Sequence, residues 1–517
     1  MALVLASVTD KTALVDFAKK ISSGKKSVSF LASGGTVAAL EAGGINVRKV
    51  SDYTGSPEML GGRVKTLHPK IHAALLARNN ENDVAELKKY GIEAIDILLC
   101  NLYAFEKTIS KPNISEAECI ESIDIGGLAL LRAAAKNFER VTVLCDPADY
   151  DMVANEFLEN GKISLETRKN LAVKAFALCT EYDRAITSWL SAKNSKEIIA
   201  YKVQDLRYGE NPHQKASLYS NKPGDGVLGA KVLQGKELSY NNILDCDAAW
   251  KAVSIFKNPA AVVIKHLTPC GLAELGDTAQ ENDLHKAIEA AIACDPVSAY
   301  GSIIAVNRCF DVKDLQAFGK LFVECLIAPK FTTEVKELLK AKKNWRILEA
   351  PFPLTKQKDE FRSVLGGFLL QDLDYGDPAG TNYSVATEKK PSEAETKLLH
   401  FAWKACTLVK SNAILLAAPI DAKNPDFGSC SVGIGCGQPN RVDAARHAIE
   451  RAKDRAKASV LASDAFFPFA DTVEVAAKAG VSAIIQPGGS IRDELSIEAC
   501  NKNKISMVFT GVRHFKH

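Results

Sequence analysis

At 517 residues, with 47% hydrophobic and 25% charged residues, the chain is too long for one ordinary core and its composition excludes a disordered, fibrous or membrane-embedded class. Lys plus Arg number 65 against 62 Asp plus Glu, so the overall balance gives no reason to expect nucleic acid or an anionic membrane as partner, and any anion site must be built locally.

The N-terminus, MALVLASVTDK, has no charged leader and an apolar run too short to cross a membrane, which predicts a cytoplasmic protein. From residue 2 to about 150, short apolar runs alternate with helical periods: LVLAS, a helix from Thr9, SVSFLA, a helix after Thr36, INVRKV, IDILLC and RVTVLC. That alternation predicts parallel βαβ units. Gly34-Gly35 lies between a strand and a helix, Gly43-Gly44 closes that helix, and Ser164 to Leu190 reads as one long helix packing across the sheet. SAKNSKE, residues 191 to 197, loses apolar periodicity and is the expected linker, dividing the chain into domains 1–197 and 198–517. Beyond it AAVVIKH, GSIIAV and SVGIGCG alternate with DLHKAIEAAIAC and RVDAARHAIERAKDRA, a second α/β arrangement expected to contain two subdomains. The thirteen Cys are scattered without a C-x-x-C pair, which predicts reduced, mostly buried thiols.

In the first part, Ser33-Gly34-Gly35-Thr36 follows a strand and starts a helix, leaving N–H groups and two hydroxyls able to hold a phosphate, although an ordinary tight turn fits equally well. GGRVKTLHPKIH adds Arg63, Lys65, His68 and Lys70, which together read either as a solvated basic loop or as cations around an anion. Thr9-Asp10-Lys11 and Lys136-Asn137 are expected at corresponding ends of other βα units, so these groups can converge on one carboxyl edge and favour a phosphorylated small molecule. His68 and His72 share a helical spacing, but Pro69 replaces the Glu of a zinc-protease helix, and no metal is expected. In the second part, Lys265-His266 ends the strand AAVVIK. A lone His is usually structural, but a strand-end position beside a Lys suits a base working near neutral pH. GIGCGQ departs from a dinucleotide fingerprint, there is no Walker loop, and Pro269-Cys270 lacks the partners of a zinc deaminase.

SVTDKTAL, SGGT, SPEMLGGRVKTLHPKIHAALLAR, NLYAFEKT, IDIGGLALLRAAAKN and LETRKNLAVKAF resemble the inosine monophosphate (IMP) cyclohydrolase half of a bifunctional purine-biosynthesis family. LRYGENPHQ, ELSYNNILD, KHLTPCG, SAYGS, VKSNA, GIGCGQPNRVDAAR, SDAFFPF, IIQPGGSIRD and FTGVRHFKH resemble its aminoimidazole carboxamide ribotide (AICAR) transformylase half. The two sets cover essentially the whole chain.

The resemblance implies a methylglyoxal-synthase-like parallel-sheet domain followed by a transformylase region of two cytidine-deaminase-like α/β subdomains. It implies formyl transfer from 10-formyltetrahydrofolate to AICAR, giving the formamide FAICAR, and closure of FAICAR to IMP, without a metal. For ring closure it places Lys65, Tyr103, Asp124 and Lys136 around the reacting groups. Thr9, where the family often has Ser, Lys11, Ser33, Gly35, Thr36, Arg63, Thr66, Asn101 and Gly126 would hold the nucleotide. For formyl transfer it makes His266 the base and Lys265 with Asn412 the oxyanion stabilisers. Arg207, Tyr208, Gly301, Arg441, Phe466 and Arg513 would contact the ribotide, with Asp471 near the folate head group. A homodimer with transformylase sites at the subunit interface is implied, with no nucleic-acid or membrane partner. Leu267-Thr268 departs from the more polar pair usual in the family. Two other readings are formyl transfer alone with a ribotide-sensing N-terminal half, and a non-catalytic folate or nucleotide binder.

Overall fold

The computed structural model describes residues 2–191, 198–221, 224, 226–354 and 357–517; apart from Ser191, the expected linker lies outside them. The chain divides into two units, Met1–Glu197 and Ile198–His517.

In the first unit Ala2–Ser7 (β1), Val28–Ala32 (β2), Val47–Lys49 (β3), Ile97–Cys100 (β4) and Thr142–Leu144 (β5) form a wholly parallel sheet in the order β3-β2-β1-β4-β5. β1 and β4 are buried along nearly their whole length, as apolar runs covered on both faces must be. The chain runs outward from β1 through β2 to β3 and then returns to β4 on the other side of β1, so a crevice opens at the carboxyl ends of these central strands. Helix Leu165–Leu190 starts where expected, Ser164 accepting a hydrogen bond from the Thr167 N–H, and it packs on helix Gly126–Lys136 and on β5.

The second unit begins with the hairpin Tyr201–Leu206 (β6) and Ala216–Ser220 (β7), whose connection carries Arg207 and Tyr208. A 12-stranded mixed sheet follows. Its first half contains Lys231–Gln234 (β8), Ala260–Lys265 (β9), Thr268–Leu275 (β10), Ser302–Val306 (β11), Val323–Ala328 (β12) and Arg346–Glu349 (β13). After a separate hairpin, Asp359–Val364 (β14) and Gly367–Asp372 (β15), come Ser384–Val385 (β16), Ile414–Pro419 (β17), Gly428–Gly435 (β18), Val460–Ser463 (β19), Ala483–Gln486 (β20) and Ser506–Phe509 (β21). The order β16-β21-β20-β19-β17-β18-β10-β9-β11-β12-β13-β8 repeats one motif about an antiparallel β10–β18 seam.

The repetition reaches individual hydrogen bonds. Asn307, the first residue after β11, accepts from Ala260 N at 2.8 Å, while Asp464, the first after β19, accepts from Ala413 N at 3.2 Å. Helix Leu284–Cys294 lies on β10 as helix Arg441–Ala452 lies on β18. Both approaches need glycine: a Cβ on Gly271 would sit 1.8 Å from Ala291 O, and one on Gly435 1.9 Å from Ala444 O. The glycines of GIGCG thus admit a helix backbone against the sheet.

Because β10 and β18 run antiparallel, one edge of the sheet gathers the end of β9, the start of β11, the start of β17 and the ends of β18, β19 and β21. Lys265, His266, Gly301, Asn412, Arg441, Phe466 and Arg513 all lie on or just beyond these strand ends. Among the described residues no helix is long and apolar enough to cross a membrane.

Candidate functional site

Each unit carries a cavity. In the first, a cavity of about 710 Å³ lies at the carboxyl ends of β1, β2 and β4 and takes in Thr9, Lys11, Ser33, Gly35, Thr36, Arg63, Lys65, Thr66, Asn101, Tyr103, Asp124 and Gly126. The loop after β1 is pinned by Asn101, whose Oδ1 accepts from Thr9 N at 2.6 Å and Asp10 N at 3.1 Å. Ser33 stands at the N-cap of helix Gly34–Ala42 without a capping hydrogen bond from its side chain. A Cβ on Gly34 would lie 3.4 Å from Lys65 Nζ, and one on Gly35 3.8 Å from Lys11 Nζ. Two ammonium groups therefore flank a helix N-terminus, a strong setting for an anion. Lys65 also faces Glu58 at 3.5 Å, and Arg63 pairs with Glu121 on the surface.

Deeper in the cavity, Asp124 Oδ1 accepts from Gly127 N at 2.7 Å, and its own N–H donates to Tyr182 Oη at 2.8 Å. Burial pushes the Asp124 carboxyl above its ordinary range, more than the Gly127 and Tyr103 N–H groups lower it. Burial also drives the Tyr182 phenol up to about 12, which keeps it neutral. Tyr103 is 46% exposed at the mouth.

Two of the residues expected here, Thr36 and Lys136, make other contacts or lie elsewhere. Thr36 is buried and its Oγ donates to Val8 O at 3.1 Å and accepts from Val8 N at 3.2 Å, so it ties the first turn of helix Gly34–Ala42 to the segment just after β1 and has little left for a phosphate. Lys136 lies outside the cavity: it ends the 11-residue helix that starts at Gly126, about 15 Å farther along the axis. It sits at a helix carboxyl end, which belongs to the opposite edge of a parallel sheet, and the neighbouring Asn137 donates to Leu75 O and Ala77 O.

The second unit has a cavity of about 260 Å³ lined by Lys265, His266, Thr268, Pro269, Cys270, Asp295, Ser298, Gly435, Gln438, His447 and Arg451, among others. His266 is exposed, and Lys265 Nζ donates to Tyr300 O at 2.8 Å beside Gly301. Burial pushes the Cys270 thiol up to about 12, so it is no nucleophile. Asp295, despite burial, is held below the usual carboxylate range by Ser298 and by Arg451.

Asn412 does not stand beside His266 within one chain. It precedes β17, which β18 and β10 separate from β9, three interstrand steps or about 14 Å. Its side chain is committed, with Nδ2 donating to Gln438 O at 2.8 Å and Oδ1 accepting from Arg441 Nη2 at 2.6 Å. Arg441 is likewise not an open phosphate clamp: it is buried, paired with the fully buried Asp464, and donates to Ser463 Oγ at 2.9 Å. Asp471 Oδ1 accepts from Thr472 N at 2.8 Å. Phe466 is 38% exposed, Arg513 covers the Phe515 ring at 4.4 Å, and Arg207 covers the Tyr208 ring at 4.5 Å. None of Asn412, Arg441, Phe466, Asp471, Arg513, Arg207 and Tyr208 lines the cavity that holds His266.

Two residues that sequence reasoning passed over complete the picture. Asp464 anchors Arg441, and Asp245 on helix Tyr240–Ser254 accepts from the backbone of the His266-Leu267 turn. The signal available for both was a carboxylate beside apolar residues, Asp464 before Ala465-Phe466-Phe467 and Asp245 after Ile243-Leu244. Among the described residues no group of three or more His, Cys, Asp or Glu converges as metal ligands would.

The family described as "AICARFT/IMPCHase bienzyme" matches residues 134–451, and "MGS-like domain" matches residues 13–129. The chain is 48% identical over 99% of its length and 99% of the relative's to a protein of Thermoanaerobacter sp. (strain X514) named bifunctional purine biosynthesis protein PurH. It is 47% identical, over 99% of each chain, to the protein of that name from Halalkalibacterium halodurans, and 46% identical, again over 99% of each, to that from Bacillus cereus.

Proposed function

Because the chain belongs to the AICARFT/IMPCHase bienzyme family, we propose that its two units divide the two chemistries, with ring closure in 1–197 and formyl transfer in 198–517. The enzyme formylates AICAR, with a formyl-folate as co-substrate, and closes the resulting FAICAR to IMP with loss of water. The folate is 10-formyltetrahydrofolate, and neither step uses a metal.

In the first unit the phosphate seats at Ser33-Gly34-Gly35 between Lys11 and Lys65, with Arg63, Thr9, Thr66, Asn101 and Gly126 around the ribotide. Ring closure needs the carboxamide nitrogen held against the formamide carbon, and a site that fixes this contact removes most of the entropic barrier. Lys65 and Tyr103 stabilise the oxygen that becomes negative. Asp124, whose half-buried carboxyl takes a proton more readily than an exposed one, carries the proton that departs with water.

In the second unit the 5-amino group attacks the formyl carbon, His266 accepts its proton, and the Lys265 ammonium stabilises the oxyanion. The amine lone pair is delocalised into the imidazole ring, so the base is needed. Arg207, Tyr208 and Arg513 remain open to a phosphate, with Gly301, Phe466 and Asp471 bordering the substrates. Arg441 acts behind Asn412. The separation of His266 and Asn412 by three interstrand steps favours a homodimer in which one site takes residues from both chains.

The observation that carries this reading is the cavity that joins Lys265 to His266 at a sheet edge. Its test is a pair of variants. His266→Ala lowers formyl transfer by several orders of magnitude, to a small measurable residual rate, and leaves closure of supplied FAICAR intact, while Lys65→Ala impairs closure and leaves formyl transfer intact. A folded variant that loses both activities refutes separate sites.

A further inference from the structure

The turn that presents His266 has an unusual backbone. Lys265 pairs with Thr268 across the hairpin, leaving His266 and Leu267 as a two-residue connection. Both lie in the left-handed region, with φ of 53° and 62°. Such hairpin turns ordinarily use Asn and Gly, since a Cβ is crowded there. Neither His nor Leu fits that preference, so something outside the turn must hold it.

We propose that Asp245 is a positioning residue for formyl transfer, one that fixes the His266-Leu267 turn and thereby aims the His266 imidazole beside Lys265. Asp245 sits half-buried in helix Tyr240–Ser254, an element that packs on β9 and β11. Its Oδ1 accepts from Leu267 N at 2.7 Å and its Oδ2 from His266 N at 3.3 Å. One carboxylate thus bridges the N–H groups of both strained residues, and charged acceptors make the stronger hydrogen bonds. On the other side Lys265 is tied by its Nζ to Tyr300 O at 2.8 Å. The two flanking contacts fix the relative placement of ammonium and imidazole, while the imidazole itself stays exposed toward the cavity. Leu267 is tolerated, despite its departure from the family pattern, because its role is met by its backbone.

This inference rests on the assignment of His266 as the base, and a double-mutant cycle separates the two. In the full-length enzyme Asp245→Ala lowers kcat for formyl transfer about 10²-fold, the scale of a misplacement near 1 Å, with the KM for AICAR and for folate little changed. Asp245→Asn keeps the shape and one acceptor oxygen and falls between. In the His266→Ala background Asp245→Ala costs nothing further, because there is no imidazole left to aim. Calorimetric AICAR binding reports that the second unit is folded in each variant. Full activity in Asp245→Ala, or an independent multiplicative loss on top of His266→Ala, overturns the positioning role. Formyl transfer at the parent rate in His266→Ala alone overturns the base assignment instead.

Discussion

The Arg441–Asp464 pair gives the sharpest energetic test of the second unit. Both side chains are almost wholly inaccessible, at 6% and 0% exposure. Asp464 also accepts from Ser411 Oγ and from Ala413 N, and Arg441 holds Asn412 Oδ1. Removing one member strands a charge in the interior, which costs about 3–5 kcal/mol, whereas replacing both with neutral groups is far less damaging. Asp464→Asn and Arg441→Met each fall in that range. The double variant comes within about 2 kcal/mol of the parent, since the amide oxygen that Asp464→Asn introduces still accepts from Ala413 N and one such hydrogen bond is worth about 1 kcal/mol. Urea unfolding followed by tryptophan emission reads this, because Trp250, Trp345 and Trp403 all lie in the second unit. Additive losses in the double variant refute the argument, because they mean that neither charge depends on the other. Formyl transfer is weakened in Arg441→Met beyond its effect on stability, because Asn412 loses its anchor.

Gly435→Ala destabilises the second unit by about 3 kcal/mol or more, since the new Cβ meets the backbone carbonyl of Ala444, which cannot swing aside as a side chain would; the same urea titration measures it. His514 is 3% exposed and bridges Asp374 at 2.6 Å and Asp377 at 2.9 Å. Burial lowers the pKa of this imidazole, but the two carboxylates outweigh it and the net shift is upward. The clamp is therefore complete below about 6.5, the ordinary imidazole value, and is lost as pH rises through the higher folded value; amide exchange across residues 510–516 quickens over that interval. Asp314 is raised to about 7 by burial, so its contribution is present near pH 4 and lost as pH climbs toward 7. Asp314→Asn flattens that dependence and stabilises helix Val312–Ala317 at pH 8, as exchange at Leu315 and Gln316 will report.

What could be seen in the chain beforehand was local. Apolar runs separated by helical periods announce the parallel sheet, Ser164 announces its helix, and SGGT lies just past β2, while GGRVKTLHP reaches the same cavity from the long connection between β3 and β4. Lys136 escaped because periodicity does not say which end of a helix faces the crevice. Only the family resemblance set Asn412 beside His266; strand order places β10 and β18 between them, and order is a property of long-range pairing. The duplicated half was hidden for a related reason: Asn307 and Asp464 do the same backbone work with different chemistry. Asp245 is 21 residues from His266, and only the packing of helix on strand brings them together.

The internal repetition across β10 and β18 carries an evolutionary implication. Two identical halves joined as a symmetric pair would be obliged to carry the same residues on both rims of the sheet, so any gain at one would be copied to the other. Joining the halves in one polypeptide lifts that obligation. On one rim Asn307 spends its amide on Ala260, Phe256 and Asn258 and leaves a closed, neutral corner. On the other, the equivalent position is acidic, holds a guanidinium, and through it orients a further amide. Within one polypeptide the two rims are thus free to differ, one keeping the scaffold closed and the other holding charged groups.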